Sequence, residues 1–218
     1  MDTQKLLQEA YRRYWSVVES RSVVPPCQFL AYEYKVAHPA GAVQHFFYAT
    51  MEEEFTRELI NNINQLASNT HKLAIWETAL QEFSEDERLE IRYEFTRVIL
   101  YYCLHQPYEY RQRLIYCSAQ LCFEAAILRG KFDRANLVED RSIKYSTLEK
   151  LAPQWNTGAN LLEVVSRIND EEYTVSTRNY RNKSQHQIAP GLEYGYTNRT
   201  TRMITPDNKL AYTYGKTD

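Results

Sequence analysis

The sequence predicts an all-α fold, a helical bundle closed by a short C-terminal β-hairpin or irregular tail. Three observations carry that expectation. Glycine and proline are scarce, six and seven among 218 residues, roughly half of the usual share. No glycine lies between Ala42 and Arg129, and neither breaker lies between Ala159 and Ala189, so helices can run long there. Within those stretches apolar residues return every three or four positions, the period of an amphipathic helix. A chain of this length predicts one domain, residues 1–218, or at most two small ones. With 44% hydrophobic and 25% charged residues, wholesale disorder is excluded.

A first helix is expected from Thr3 to about Glu19, ended by Val23-Val24-Pro25-Pro26. Thr50-Met51-Glu52-Glu53 sets a hydroxyl three residues ahead of a carboxylate, a capping-box pattern, and Phe55, Leu59, Ile63 and Leu66 come after it at helical spacing. Ser84-Glu85-Asp86-Glu87 repeats the device ahead of a face formed by Ile91, Phe95, Val98 and Tyr102. Pro107 suits a first helical turn, and a stripe of Tyr110, Leu114, Cys117, Leu121, Ala125 and Leu128 runs behind it to Gly130. These last two segments are expected to form an antiparallel helical hairpin. Residues 131–155 read as loop with a short helix after Ser146. A last long helix begins near Asn160 and passes Leu161, Val164, Ile168 and Val175 towards His186, with a break or kink allowed at Asn169-Asp170-Glu171-Glu172. In the tail, Thr200–Ile204 and Lys209–Tyr214 flank Thr205-Pro206-Asp207-Asn208 as a small hairpin.

No apolar run at the N-terminus has the length of a secretory signal, and none elsewhere has that of a membrane span, so a cytoplasmic protein is expected. Cys27, Cys103, Cys117 and Cys122 form no CxxC pair. Reduced, buried thiols are expected rather than a metal site. The acidic run Glu52-Glu53-Glu54 reads as a solvated helix start.

Of the five histidines, four have structural explanations: His38 in a loop before Pro39, His45 among aromatic residues, His71 at a helix start, and His105 near a helix C-terminus. His186 differs. It closes Arg178-Asn179-Tyr180-Arg181-Asn182-Lys183-Ser184-Gln185-His186, and Arg181 followed by Asn182 and, four residues further on, by His186 resembles the motif of the HEPN (higher eukaryotes and prokaryotes nucleotide-binding) superfamily. The similarity covers roughly residues 160–205, continuing through Ile188, Pro190, Glu193 and Gly195. It implies a HEPN-type helical bundle whose final helix carries the motif, and a metal-independent endoribonuclease leaving 2′,3′-cyclic phosphate ends. It further implies a homodimer with both motifs facing one cleft, no cofactor, RNA or a nucleotide as ligand, and a toxin or phage-defence role with a possible antitoxin partner. The alternative it allows is a catalytically inactive dimer binding RNA, a nucleotide or a protein partner.

The chemistry suits those side chains. RNA is cut without a metal when its 2′-OH attacks the adjacent phosphate, which needs a proton-transfer group and a cation on the developing charge. Imidazole titrates near neutrality, and the guanidinium fork matches phosphate oxygens. Arg181 and His186 are therefore the candidate catalytic pair, with Asn182 orienting the phosphate or the imidazole. Arg178, Lys183, Arg199 and Arg202 are candidate phosphate contacts. Tyr180, Tyr194 and Tyr196 are candidate base-stacking rings. Five residues of helix separate Arg181 from His186, which sets them about 140° apart, so convergence needs a reaching arginine or a helix ending near His186.

Charge supports the placement. The net charge of −2 excludes a uniformly basic nucleic-acid binder. Residues 173–218, however, hold seven Lys and Arg against three Asp and Glu, while the rest holds 19 against 25. An acidic body thus carries a basic C-terminal segment, where phosphate is expected to dock.

Overall fold

The computed structural model describes residues 2–33, 43–133, 135, 137–186 and 200–214. Most of them are helical. The elements are α1 (Thr3–Ser20), α2 (Val43–Ala79), α3 (Glu85–Ile91), α4 (Arg97–Leu128), α5 (Tyr145–Leu151), α6 (Gly158–Arg167), α7 (Glu171–Ser176), α8 (Tyr180–His186) and the strands β1 (Thr200–Ile204) and β2 (Leu210–Tyr214). No helix among the described residues is long and apolar enough to cross a membrane. The chain divides into two compact units: Met1–Pro26 with Ser68–His105 and Thr174–Asp218, and Cys27–Ala67 with Gln106–Tyr173.

The first unit is built on aromatic rings. Leu6 and Ala10 of α1, Trp76, Ala79 and Leu80, and Ile91 of α3 are buried together. Trp76 stacks between Tyr14 at 4.6 Å and Phe95 at 4.8 Å, ring centre to ring centre. α3 starts where expected: Ser84 Oγ caps the Glu87 N–H while the Glu87 carboxylate accepts from the Ser84 N–H at 3.0 Å. Those bonds, which favour the charged form, hold the Glu87 carboxyl below its ordinary range. The hairpin is antiparallel, pairing Thr200 with Tyr214 and Ile204 with Leu210. Its turn is closed by Asn208 in the left-handed region and by Thr205 bonding both to and from Lys209.

The second unit has an aliphatic centre. Ile115, Ala119 and Phe123 of α4 bury against Leu148, Leu151, Ala152 and Val165, each large side chain stabilising by roughly 1.5–3 kcal/mol. Gly158 opens α6 against the carbonyl of Ala152, where a Cβ would lie 1.8 Å from that oxygen. Arg111 Nε donates to the Val165 carbonyl at 3.2 Å, covering an acceptor in the last turn of α6. Asn64 accepts from the Leu30 N–H at 2.7 Å and donates to its carbonyl at 3.0 Å, anchoring an irregular segment to α2. Burial pushes the Cys117 thiol, and in the first unit the Cys103 thiol, up to about 11, which keeps both protonated at neutral pH. Cys27, by contrast, is exposed.

Several expectations are corrected. α2 begins at Val43, so Thr50 lies inside the helix and caps nothing, Glu52 is buried rather than solvated, and His71 is mid-helix. The expected helical hairpin at Pro107 does not exist, because α4 runs unbroken through that proline. The missing N–H costs one backbone bond, and packing on both flanks offsets it. His105 is consequently mid-helix as well. A π-helical turn at Arg92–Thr96 adds a residue and rotates the helix beyond it. Val98, expected inward, is 75% exposed, and Thr96 is buried instead. In α4 the most buried side chains are Ile115, Ala119, Phe123 and Ala126; of the expected stripe Tyr110 and Cys117 are buried, while Leu114, Leu121, Ala125 and Leu128 are half-buried. The last long helix is three helices, broken at Asn169 as allowed and again at Arg178–Asn179.

Candidate nucleic-acid interface

The sequence-derived motif occupies α8, and the turn before it sets its direction. Arg178 and Asn179 both have positive φ, 52° and 54°. Asn adopts the left-handed region readily, whereas Arg178 is strained there by roughly 1 kcal/mol. The turn is closed by the Arg178 N–H to the Val175 carbonyl at 2.9 Å and the Asn179 N–H to the Thr174 carbonyl at 2.7 Å. α8 then leaves in a new direction, with Tyr180 as its first residue.

Tyr180 and Ser184, four residues apart, form the inner face. Tyr180 is 6% exposed and meets Tyr101 and His105 of α4 edge-on, at 6.3 and 5.8 Å. Burial, then the neighbouring Tyr101, raises the Tyr180 phenol pKa, and Arg97 opposes the rise. Tyr180 is therefore a packing residue and is withdrawn as a base-stacking ring. Ser184 Oγ lies 3.0 Å from His105 Nε2 and 2.8 Å from the Arg181 carbonyl oxygen. Ser184 Oγ and His105 Nε2 therefore share a hydrogen bond in which the imidazole tautomer sets which of them donates. His105, 8% exposed, thus holds the motif helix in place.

Helical rotation then decides the outer face. Relative to Tyr180, Asn182 and His186 lie at about 200° and 240°, and Lys183 at about 300°. Asn182 and His186 are neighbours at a spacing of four, and Lys183 and His186 at three. His186 is exposed, while Asn182 and Lys183 are half-buried. Arg181 is on a different face, about 140° from His186, with its Nε buried. The exposed Arg178 lies in the preceding turn. The structure brings Asn182, Lys183 and His186 to one face, and it leaves Arg181 at the flank. Arg199, Tyr194 and Tyr196 lie outside the described residues, and Arg202 is on β1, paired in register with Tyr212.

The support from α4 was not legible as a site. His105 and Tyr101 are themselves four residues apart, as are Tyr180 and Ser184, and two such pairs can mate across a helix contact. Tyr101 and His105 both precede Pro107, so their spacing was visible in the sequence, but the helix they meet was not. Among the described residues no group of three His, Cys, Asp or Glu side chains could hold a metal ion. Comparison of the chain with protein-family models, with curated proteins and with solved structures finds no match.

Proposed function

We propose that the protein is a metal-independent endoribonuclease of HEPN type, acting through the outer face of α8. The observation that carries this reading is the exposed His186 beside Asn182 and Lys183 on one face of a short helix, in the basic segment of an otherwise acidic chain. In the proposed step the 2′-oxygen forms a bond to phosphorus and its proton leaves to a base. The bond from phosphorus to the 5′-oxygen breaks, and that oxygen takes a proton from an imidazolium. Lys183 lies three residues from His186 and supplies positive charge to the phosphate. Asn182 supplies a hydrogen bond, and Arg178 extends the cationic track. A homodimer pairing two copies of α8 would set one imidazole as base and the other as acid.

A second reading, an inactive RNA-binding dimer, is favoured by one feature: Arg181 does not share the face of His186. The deciding experiment incubates the purified protein with mixed RNA in EDTA. The nuclease reading expects cleavage to 2′,3′-cyclic ends, lowered about a hundredfold or more in His186→Ala. Cleavage untouched by His186→Ala and Arg181→Ala overturns the site. RNA binding without cleavage, weakened in Lys183→Ala, establishes the second reading.

A further inference from the structure

Beside α8 the surface of α4 and of the π-turn before it carries a row spaced by four residues: Tyr93, Arg97 and Tyr101. Both rings are turned to solvent, Tyr93 56% exposed and Tyr101 48% exposed. The Arg97 guanidinium lies over the Tyr93 ring, 4.9 Å from its centre. Tyr101 packs 4.3 Å from the His105 ring and 6.3 Å from Tyr180, the two side chains that seat α8. The row is therefore continuous with the motif helix. Tyrosine rings, apolar on their faces and polar at the hydroxyl, are enriched at contact surfaces. Two flat rings with a planar cation between them offer π faces and positive charge together, the combination that suits bases of a single strand whose phosphates pass nearby. Glu94, the adjacent acid in sequence, is outside this row.

We propose that Tyr93, Arg97 and Tyr101 form a base-stacking surface for single-stranded RNA engaged at α8. The inference deepens the reading above and rests on it: phosphate contacts come from α8, and the bases 5′ or 3′ of the reacting phosphate lie along α4. Stacking of this kind tolerates any base, because every base has a π face. The surface adds affinity and alignment, not sequence readout.

The test uses the full chain and a labelled oligouridine of about 12 nucleotides, 2′-O-methylated so that it cannot be cut, with binding read by fluorescence anisotropy. Tyr93→Ala and Tyr101→Ala are each expected to weaken binding about tenfold, and Tyr101→Phe, which keeps the ring, by less than about twofold. On an abasic strand of equal length the wild type and the alanine variants should differ by less than about twofold, a result that a merely structural role of Tyr101 would not produce. Alanine variants that bind the base-bearing strand like wild type overturn the surface. If Arg178→Ala and Lys183→Ala weaken binding in that same experiment, the α8 reading survives the loss. A wild type that binds no RNA overturns both. A Tyr93→Ala protein that loses self-association but keeps RNA affinity assigns the row to a second copy of the chain and overturns the proposal.

Discussion

Residues 97–128 stay helical through an internal proline, whereas residues 158–186, with their one glycine at the very start, break twice. The difference lies in the surroundings each segment packs against. Along α4, Ile115, Ala119, Phe123 and Ala126 are almost fully buried, and partly buried neighbours line the adjoining faces. Straightening out of a helix there would strip apolar surface from water-free contacts. In the later segment Val164 and Val175 are 53% and 70% exposed, while Val165 and Tyr180 are sealed. On one continuous helix Val165 and Tyr180 would lie about 60° apart, but none of residues 166–179 between them is buried, so little packing would hold such a helix together. Left-handed residues at Asn169, Arg178 and Asn179 re-aim the chain between them. Packing demand, more than the presence of a breaker, decides where a helix ends.

Four substitutions sharpen or break that contrast. The largest effect is expected at the centre of α4, where Phe123→Ala should cost about 4 kcal/mol in denaturant unfolding. Val175→Ala on α7 should stay within about 0.5 kcal/mol. Similar losses at both positions would remove the burial difference as the cause. Next is Gly158→Ala, whose new methyl would meet the Ala152 carbonyl at 1.8 Å. A loss of about 3 kcal/mol is expected, because a backbone atom must move to admit it. A neutral result would show that α6 can begin elsewhere. A smaller change is expected for Pro107→Ala, which returns an N–H to the Cys103 carbonyl and should raise stability by about 1 kcal/mol, the restored bond being partly offset by a freer unfolded chain. A fall in stability on that change would mean the proline geometry is itself required by the packing around α4.

Much of the fold was readable in the sequence, and the reason is local. The first helix, the Ser84 capping box, the short helix near Ser146, the break at Asn169 and the terminal hairpin each depend on residues within a few positions of one another. The errors share another cause. Thr50 looks like a cap and Pro107 like a start, and each pattern is real, but a helix already present upstream absorbs it. The π-turn at Arg92–Thr96 has no breaker residue to announce it, yet it moves Val98 from the expected inner face to solvent. The site divides in the same way. His186 and its basic surroundings were legible from spacing and charge, whereas the seating of α8 by His105 and Tyr101 joins residues 79 positions apart.

By itself, then, the sequence determined a mostly helical chain, the ends of its locally capped elements, the presence of the terminal hairpin, and a basic motif ending at His186. Only the tertiary structure decided that Tyr180 is a packing side chain and not a stacking one, that His105 hydrogen-bonds with Ser184, and that Asn182 and Lys183 rather than Arg181 share a face with His186. Caps, turns and hairpins are set by interactions between near neighbours. Which side of a helix faces inward is set by whatever distant segment covers it, and a single added residue in a π-turn is enough to change the answer.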